Sequence, residues 1–382
     1  MTMKFSAAVS HVEEAMSIKY NTLVYELKRQ GKNVLVMSLG EAYFDLPLLP
    51  LDDLPFPDVY HYSHPRGVPE LRRKLAGHLA ARYDVPIDPE REILVTAGSK
   101  AAIQMTLMSI LNPADEVLVP EPAWVNYSEQ IKLCHARPVG VPWDQGLDAI
   151  ERYVTADTRA IIVTTPHNPR GYVYREDELS ALLALAEKHD LWLLSDEAYS
   201  DFVLDGSFTS LGKMDRVKRR SVVFNSISKN LGMSGWRIGY VVGHADLIDQ
   251  VLKVNQHLIT CPATILSHYV ALHFERLLEI TAPQIRRIAD ERSVVARHMD
   301  EMDLTYLPGA ATFYFFVSIE PSRLSSEEFA RRLLEDDLIS TVPGLGYGKS
   351  CDRFIRVSIG TAGREDNLRG IRRIKALIEA TC

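Results

Sequence analysis

Between residues 93 and 242, short unbroken apolar runs alternate with amphipathic stretches. Residues 93–96, 116–119, 137–141, 160–164, 191–194, 221–224 and 238–242 read as strands, and helices are expected over 69–82, from 99 to 111, from Trp124 and over 176–189. Strands apolar on both faces and separated by helices belong to a mostly parallel sheet covered on both sides. A helical run over 263–302 follows, and then the texture changes to strands at 312–319, 339–342 and 354–359 with helices at 326–336 and 365–378. That is a second, smaller α+β unit. Upstream, Val12, Ala15, Met16, Leu23, Val24 and Leu27 recur at helical spacing before Gly31, which predicts a helix over 11–30. A short strand over 33–39 comes next, and the proline-rich stretch 46–59 reads as an entrance loop.

Composition narrows the class. A chain of 382 residues exceeds one ordinary core, so two domains are expected. The net charge is −7, and the one dense basic run, 216–220, reads as a solvated loop face, so no nucleic-acid partner is expected. Cys134, Cys261, Cys351 and Cys382 lack the close spacings of metal sites or disulfide frameworks. Residues 1–10 have no apolar signal core and no later run is long enough to cross a bilayer. The expectation is a cytoplasmic protein with no membrane partner and no metal.

The chemistry gathers where strands end, which is where open parallel sheets bind ligands. After 93–96 comes a glycine turn, Gly98-Ser99-Lys100, opening a helix, which makes a phosphate cradle. Past 160–164 stands Asn168, past 191–194 stand Asp196 and Tyr199, and past 221–224 stand Ser226 and Lys229, with Arg237 heading the next strand. Each has an ordinary reading: Lys229 as a strand-end lysine that snorkels to solvent, Asp196 as a helix cap, Asn168 as a turn residue, Trp124 as core. Together they match the parts of a pyridoxal phosphate site. Lys229, poorly hydrated, would bond the aldehyde; Asp196 would pair with the pyridine nitrogen; Asn168 and Tyr199 would donate to the ring oxygen. Ser226, Arg237 and the backbone of Gly98, Ser99 and Lys100 would hold the phosphate, and Trp124 would stack on the ring.

The ordered set Gly40-Glu41, Tyr62 with Gly67, Gly98-Ser99-Lys100, Trp124, Asn168-Pro169 with Gly171, 195–199, 226–229, Gly235-Trp236-Arg237 and Arg356 resembles the class I and II aminotransferases, fold-type I pyridoxal phosphate enzymes typified by aspartate aminotransferase. The resemblance covers nearly the whole chain. It implies a large cofactor domain over 45–280 and a small domain built from both chain ends, 1–44 and 281–382. It implies a homodimer in which Tyr62 reaches the neighbouring subunit's cofactor, an Arg356 that clamps the substrate carboxylate, and further substrate contacts at Gly40, Asn168 and Lys100. Lys229, Asp196 and Tyr199 would be the catalytic residues of a ping-pong exchange between an L-amino acid and a 2-oxo acid through a Schiff base at Lys229. In one bacterial branch of the family a lysine at the position of Lys100 meets a distal carboxylate, which points to an acidic substrate; here it could equally answer the phosphate or face solvent. Arg170, His167, Asn230, Ala42-Tyr43 and the short 46–59 loop depart from the family pattern, and the expectation is that these departures surround the substrate. A β-lyase, a cyclase, an oxidase or a non-catalytic sensing module are the alternatives on the same scaffold.

Overall fold

The computed structural model describes residues 5–204 and 207–382. The strands in chain order are β1 (Leu35–Val36), β2 (Ile93–Thr96), β3 (Glu116–Pro120), β4 (Arg137–Val141), β5 (Thr158–Thr164), β6 (Trp192–Asp196), β7 (Ser221–Ser226), β8 (Gly239–Val242), β9 (Tyr314–Ser318), β10 (Ile339–Ser340), β11 (Val342–Pro343) and β12 (Phe354–Ser358). Among the described residues, β2 to β8 form a seven-stranded sheet in the order β2-β8-β7-β6-β5-β3-β4. Pairing is parallel from β4 through β7, and β8 runs antiparallel to both β7 and β2.

The unbroken apolar runs are explained by burial on two faces. Val95, Leu118, Ile161, Val163, Leu193 and Val223 pack into one core cluster, while their alternating neighbours Leu94, Val117, Ile162, Leu194, Val222 and Phe224 pack into another. That alternation is the two-residue period of a pleated strand with helices on both sides. Register then sets the site. Thr164 lies opposite Asp196, Asp196 opposite Phe224, and Gly239 opposite both Ser226 and Thr96. The carboxyl ends of β2, β5, β6 and β7 therefore share one edge.

The smaller unit holds an antiparallel sheet in the order β11-β12-β9 and a parallel pair, β1 with β10, in which Leu35 faces Ile339. The helix Thr264–Glu301 joins the two cores: Tyr269, Phe274 and Leu277 belong to the large one, Ile285, Ile288, Val295 and Met299 to the small one, with Pro283 between.

Several sequence expectations need adjusting. The first long helix is Met16–Arg29 rather than 11–30, because the Glu13 backbone N–H is taken by the Glu129 carboxylate at 2.8 Å and the chain arrives extended. The strand expected over 33–39 shrinks to β1, and that expected over 339–342 splits at Thr341 into β10 and β11, which serve different sheets. Trp124 sits in the turn before a helix that starts at Tyr127, and its carbonyl accepts the Tyr127 N–H. The helix Ala245–Leu258, with Leu247, Ile248 and Val251 buried at helical spacing, was absent from the sequence reading.

Candidate active site

Lys229 lies in the one-turn helix Ile227–Asn230 that caps β7, its N-terminus closed by the Ser226 hydroxyl accepting the Ser228 N–H. The turn lifts the amine to the sheet edge, where Nζ donates to the Gly40 carbonyl at 2.5 Å and stands 5.8 Å from the Tyr199 ring centroid. Burial pushes this amine down to about 8; the Glu41 carboxylate opposes the shift, Arg356 adds to it, and Asp196 also opposes it.

Asp196 closes β6 and is 6% exposed. One carboxylate oxygen accepts the Tyr127 hydroxyl at 2.8 Å and the other the Ala198 N–H at 3.2 Å. Burial raises its pKa, and these two hydrogen bonds oppose the rise. Tyr127, also bonded to Thr164 at 2.7 Å, escaped the sequence reading. A tyrosine near the start of an amphipathic helix reads as core, and its partner lies sixty-nine positions downstream.

Asn168, Tyr199 and Arg356 form a second group. Asn168 Nδ2 donates to the Tyr199 hydroxyl at 3.4 Å, and Arg356 Nη1 donates to Asn168 Oδ1 at 3.3 Å. Arg356 projects from β12, is 3% exposed, donates through Nη2 to the Ser38 carbonyl at 2.6 Å and leaves Nε without an acceptor. Among the described residues it makes no ion pair. A buried guanidinium without a counter-charge is costly and is arranged to receive an anion, in a planar fork that suits a carboxylate.

The glycine turn is shaped for close approach. Gly98 has φ +85, and a Cβ there would fall 2.3 Å from Arg237 Nη2. A Cβ on Gly239 would fall 2.1 Å from the Ser99 backbone nitrogen, so β8 presses directly on the turn. No side chain caps the helix Ser99–Ile110 that starts here. Arg237, itself left-handed at φ 55, donates to the Ser234 carbonyl at 2.6 Å. Backbone N–H groups, a helix N-terminus and an arginine at one turn make an anion cradle.

Lys100 leans outward. Its Nζ donates to Asn126 Oδ1 at 3.2 Å and stands 5.4 Å from the Trp124 ring centroid, and burial with nearby Arg237 lowers its pKa. Beside it a cavity of about 420 Å³ opens between Lys100, Arg237, Asn126 and Val12. Trp124 packs edge-on against Tyr127, ring centroids 5.3 Å apart. Tyr62 is not gathered with the others within this chain: its side chain is 87% exposed.

The residues expected to surround a substrate are engaged elsewhere. Arg170 donates to the Pro308 carbonyl at 3.2 Å and stacks on Tyr172 at 4.4 Å. His167 is buried, pushed down to about 3 by desolvation and Arg170, hence neutral. Asn230 donates to Asp201 at 2.7 Å, and Asp201 also accepts the Tyr83 hydroxyl and faces His78 at 3.5 Å. These three departures from the family pattern each make contacts within the chain's own scaffold.

Comparison with known proteins agrees with this geometry. The family model for aminotransferases of class I and II matches residues 52–374. An aspartate aminotransferase of Pyrococcus abyssi is 31% identical over 352 residues, covering 89% of this chain and 90% of that protein. An aromatic-amino-acid aminotransferase of Thermococcus litoralis is 30% identical over 355 residues, with 89% and 90% covered. Among solved structures, aspartate aminotransferase from Thermus thermophilus with maleate superposes with a TM-score of 0.89 at 27% identity, covering 98% of this chain and 100% of that one.

Proposed function

We propose, for a chain that belongs to the class I and II aminotransferases, that it exchanges an amino group between an L-amino acid and a 2-oxo acid, with pyridoxal 5'-phosphate held at Lys229. The observation that carries this reading is the buried Lys229 amine at the sheet edge, bonded to the Gly40 carbonyl, 5.8 Å from the Tyr199 ring centroid and close enough to Asp196 and Arg356 to feel both charges. The donor set suits the cofactor. Lys229 would bond its aldehyde, Asp196 its pyridine nitrogen, and Asn168 and Tyr199 its ring oxygen. The Gly98–Lys100 turn, Ser226 and Arg237 would take its phosphate, while Trp124 would cover its face.

When bound, pyridoxal phosphate supplies a conjugated ring that stabilises negative charge at a substrate α-carbon. Asp196, held by Tyr127 and Ala198, would take the ring nitrogen as its partner, and its negative charge would favour the protonated nitrogen. Lys229 moves the proton: an amine near pKa 8 is about half neutral at pH 8, and Nζ accepts the α-proton as base and delivers it as acid. Arg356 fixes the α-carboxylate, which orients the bond to be broken. Donor and acceptor use the same groups in turn, so ping-pong kinetics follow. Exposed Tyr62 fits a site completed by a second copy of the chain.

The test is a half-reaction: each amino acid alone, without oxo acid, should convert the cofactor spectrum to that of the aminated form. Release of ammonia or peroxide with no oxo-acid dependence would replace the reading with a lyase or oxidase. For the donor we propose an acidic amino acid, on the strength of Lys100 at the mouth beside Trp124. Lys100→Ala is then expected to raise KM for aspartate or glutamate by about tenfold while sparing neutral donors, as loss of a charge-assisted contact does. Equal loss for all donors would assign Lys100 to the phosphate, and an aromatic amino acid as the best donor would end the acidic proposal.

The cradle makes its own prediction. Gly98→Ala places a Cβ in a left-handed position against the Arg237 guanidinium. Cofactor affinity is expected to fall about 10- to 100-fold, read by titrating the apoprotein with pyridoxal phosphate.

A further inference from the structure

Tyr314 lies in β9, in a run of aromatic residues that reads as plain core, yet its hydroxyl is placed among the polar groups of the site. It sits 2.9 Å from the Tyr199 hydroxyl, with the two rings edge-on at 5.6 Å between centroids. The Arg356 guanidinium covers its ring at 4.5 Å. Gly40, whose carbonyl receives Lys229, is so close that a Cβ there would come within 3.0 Å of the Tyr314 hydroxyl. A closed chain results: Arg356 to Asn168, Asn168 to Tyr199, Tyr199 to Tyr314, and the Tyr314 ring back under Arg356.

Proton counting decides what this chain can do. A phenol has one proton to donate and two lone pairs. The Tyr199 oxygen already accepts the Asn168 amide, so its single proton goes either to Tyr314 or to a ligand. If it is to reach the ring oxygen of a cofactor, the Tyr199–Tyr314 hydrogen bond must run the other way, with Tyr314 as donor. Among the described residues no other hydrogen-bond acceptor engages the Tyr314 hydroxyl. Burial raises the pKa of both phenols, and Arg356 opposes the rise at both; at Tyr199 the neighbouring Tyr314 and then Asp196 add to the rise, whereas at Tyr314 the bond to Tyr199 opposes it, which leaves Tyr199 the more basic oxygen and Tyr314, under the Arg356 guanidinium, the better donor.

Resting on the cofactor reading above, we propose that Tyr314 is a positioning residue for the reaction: by donating its proton to the Tyr199 oxygen, it commits the Tyr199 proton to the cofactor ring oxygen. Tyr314 acts through Tyr199 and contacts neither reacting atom. The anionic form of the ring oxygen is stabilised by this donation, which lowers the proton affinity of the nitrogen shared with Lys229.

The experiment is a pH titration of the visible absorbance of the holoenzyme, in the wild type, Tyr314→Phe, Tyr199→Phe and the double variant. Tyr314→Phe keeps the ring under Arg356 and removes only the hydroxyl. Its midpoint is expected to rise by about one pH unit, with kcat lowered and KM for the amino acid little changed. Tyr199→Phe should raise the midpoint at least as far, and the double variant should match Tyr199→Phe alone, because the second hydroxyl has nothing left to orient. Arg356, Asp196, Glu41 and Lys229 face this pair and are the same in all four proteins. An unchanged midpoint in Tyr314→Phe, or a double-variant shift equal to the sum of the single ones, overturns the proposal. A wild type that develops no titrating visible band with pyridoxal phosphate overturns the cofactor reading instead, a distinct result.

Discussion

Lys229→Ala is expected to give a folded protein whose turnover falls by at least about 10⁴-fold, the upper range for removing a general acid–base group, and here the same residue is also the anchor. Two losses coincide in this variant. On the proposed reading, the amine that carries the proton disappears, and the covalent hold on the cofactor goes with it. The fold should survive, because among the described residues the Lys229 side chain makes its hydrogen bond to the Gly40 carbonyl alone, and its helix is held by the apolar neighbours Ile227 and Leu231. The measurements are turnover, the visible spectrum after adding pyridoxal phosphate, and far-ultraviolet circular dichroism. Loss of the spectral band with unchanged dichroism fits the assignment. Activity within tenfold of wild type would remove Lys229 from the chemistry and restore its reading as a strand-end lysine.

The second large effect is expected at Asp196. Asp196→Asn keeps the shape and can keep one acceptor for Tyr127, but it replaces a buried anion with a neutral amide. Breaking one side of a buried charge pair costs about 3–5 kcal/mol, which at the transition state corresponds to about 10²- to 10⁴-fold in kcat. KM for the amino acid should change little, since the proposed reading gives the substrate carboxylate to Arg356 and not to Asp196. Tyr127→Phe should lower kcat far less than Asp196→Asn, because it removes one hydrogen bond and leaves the charge. Comparable losses in the two variants would mean that the hydrogen bond rather than the carboxylate charge matters.

Most of the sheet was legible because its inner strands are buried on both faces, so that a run such as 93–96 stands out against amphipathic helices; that strand was located to the residue, as was the half-exposed edge strand 137–141. The convergence of the residues proposed for the cofactor was legible for a related reason: Gly98, Asn168, Asp196, Ser226 and Lys229 lie at or just past strand ends, and parallel register turns neighbours in strand order into neighbours in space. Tyr127 and Tyr314 were not legible. Their rings satisfy the apolar pattern of a helix and a strand, and the hydroxyls matter only through partners that tertiary structure supplies. At Arg170 and Asn230, where the sequence reading expected substrate, the unusual residue makes a local contact, with Pro308 and Asp201 respectively. Departure from a family pattern marks a changed neighbourhood, and only geometry says which one.

The pairing of Leu35 with Ile339 joins the two ends of the chain. Because synthesis proceeds from the N-terminus and units fold as they emerge, the segment around Leu35 leaves the ribosome long before its partner strand exists. The seven-stranded sheet, with Lys229, Asp196 and the glycine turn, can assemble during that interval. Arg356 on β12 cannot join them then, and neither can the Tyr314 hydroxyl. Order of assembly therefore separates the two halves of the site: the groups proposed for the cofactor come together first, and those proposed for the substrate arrive last.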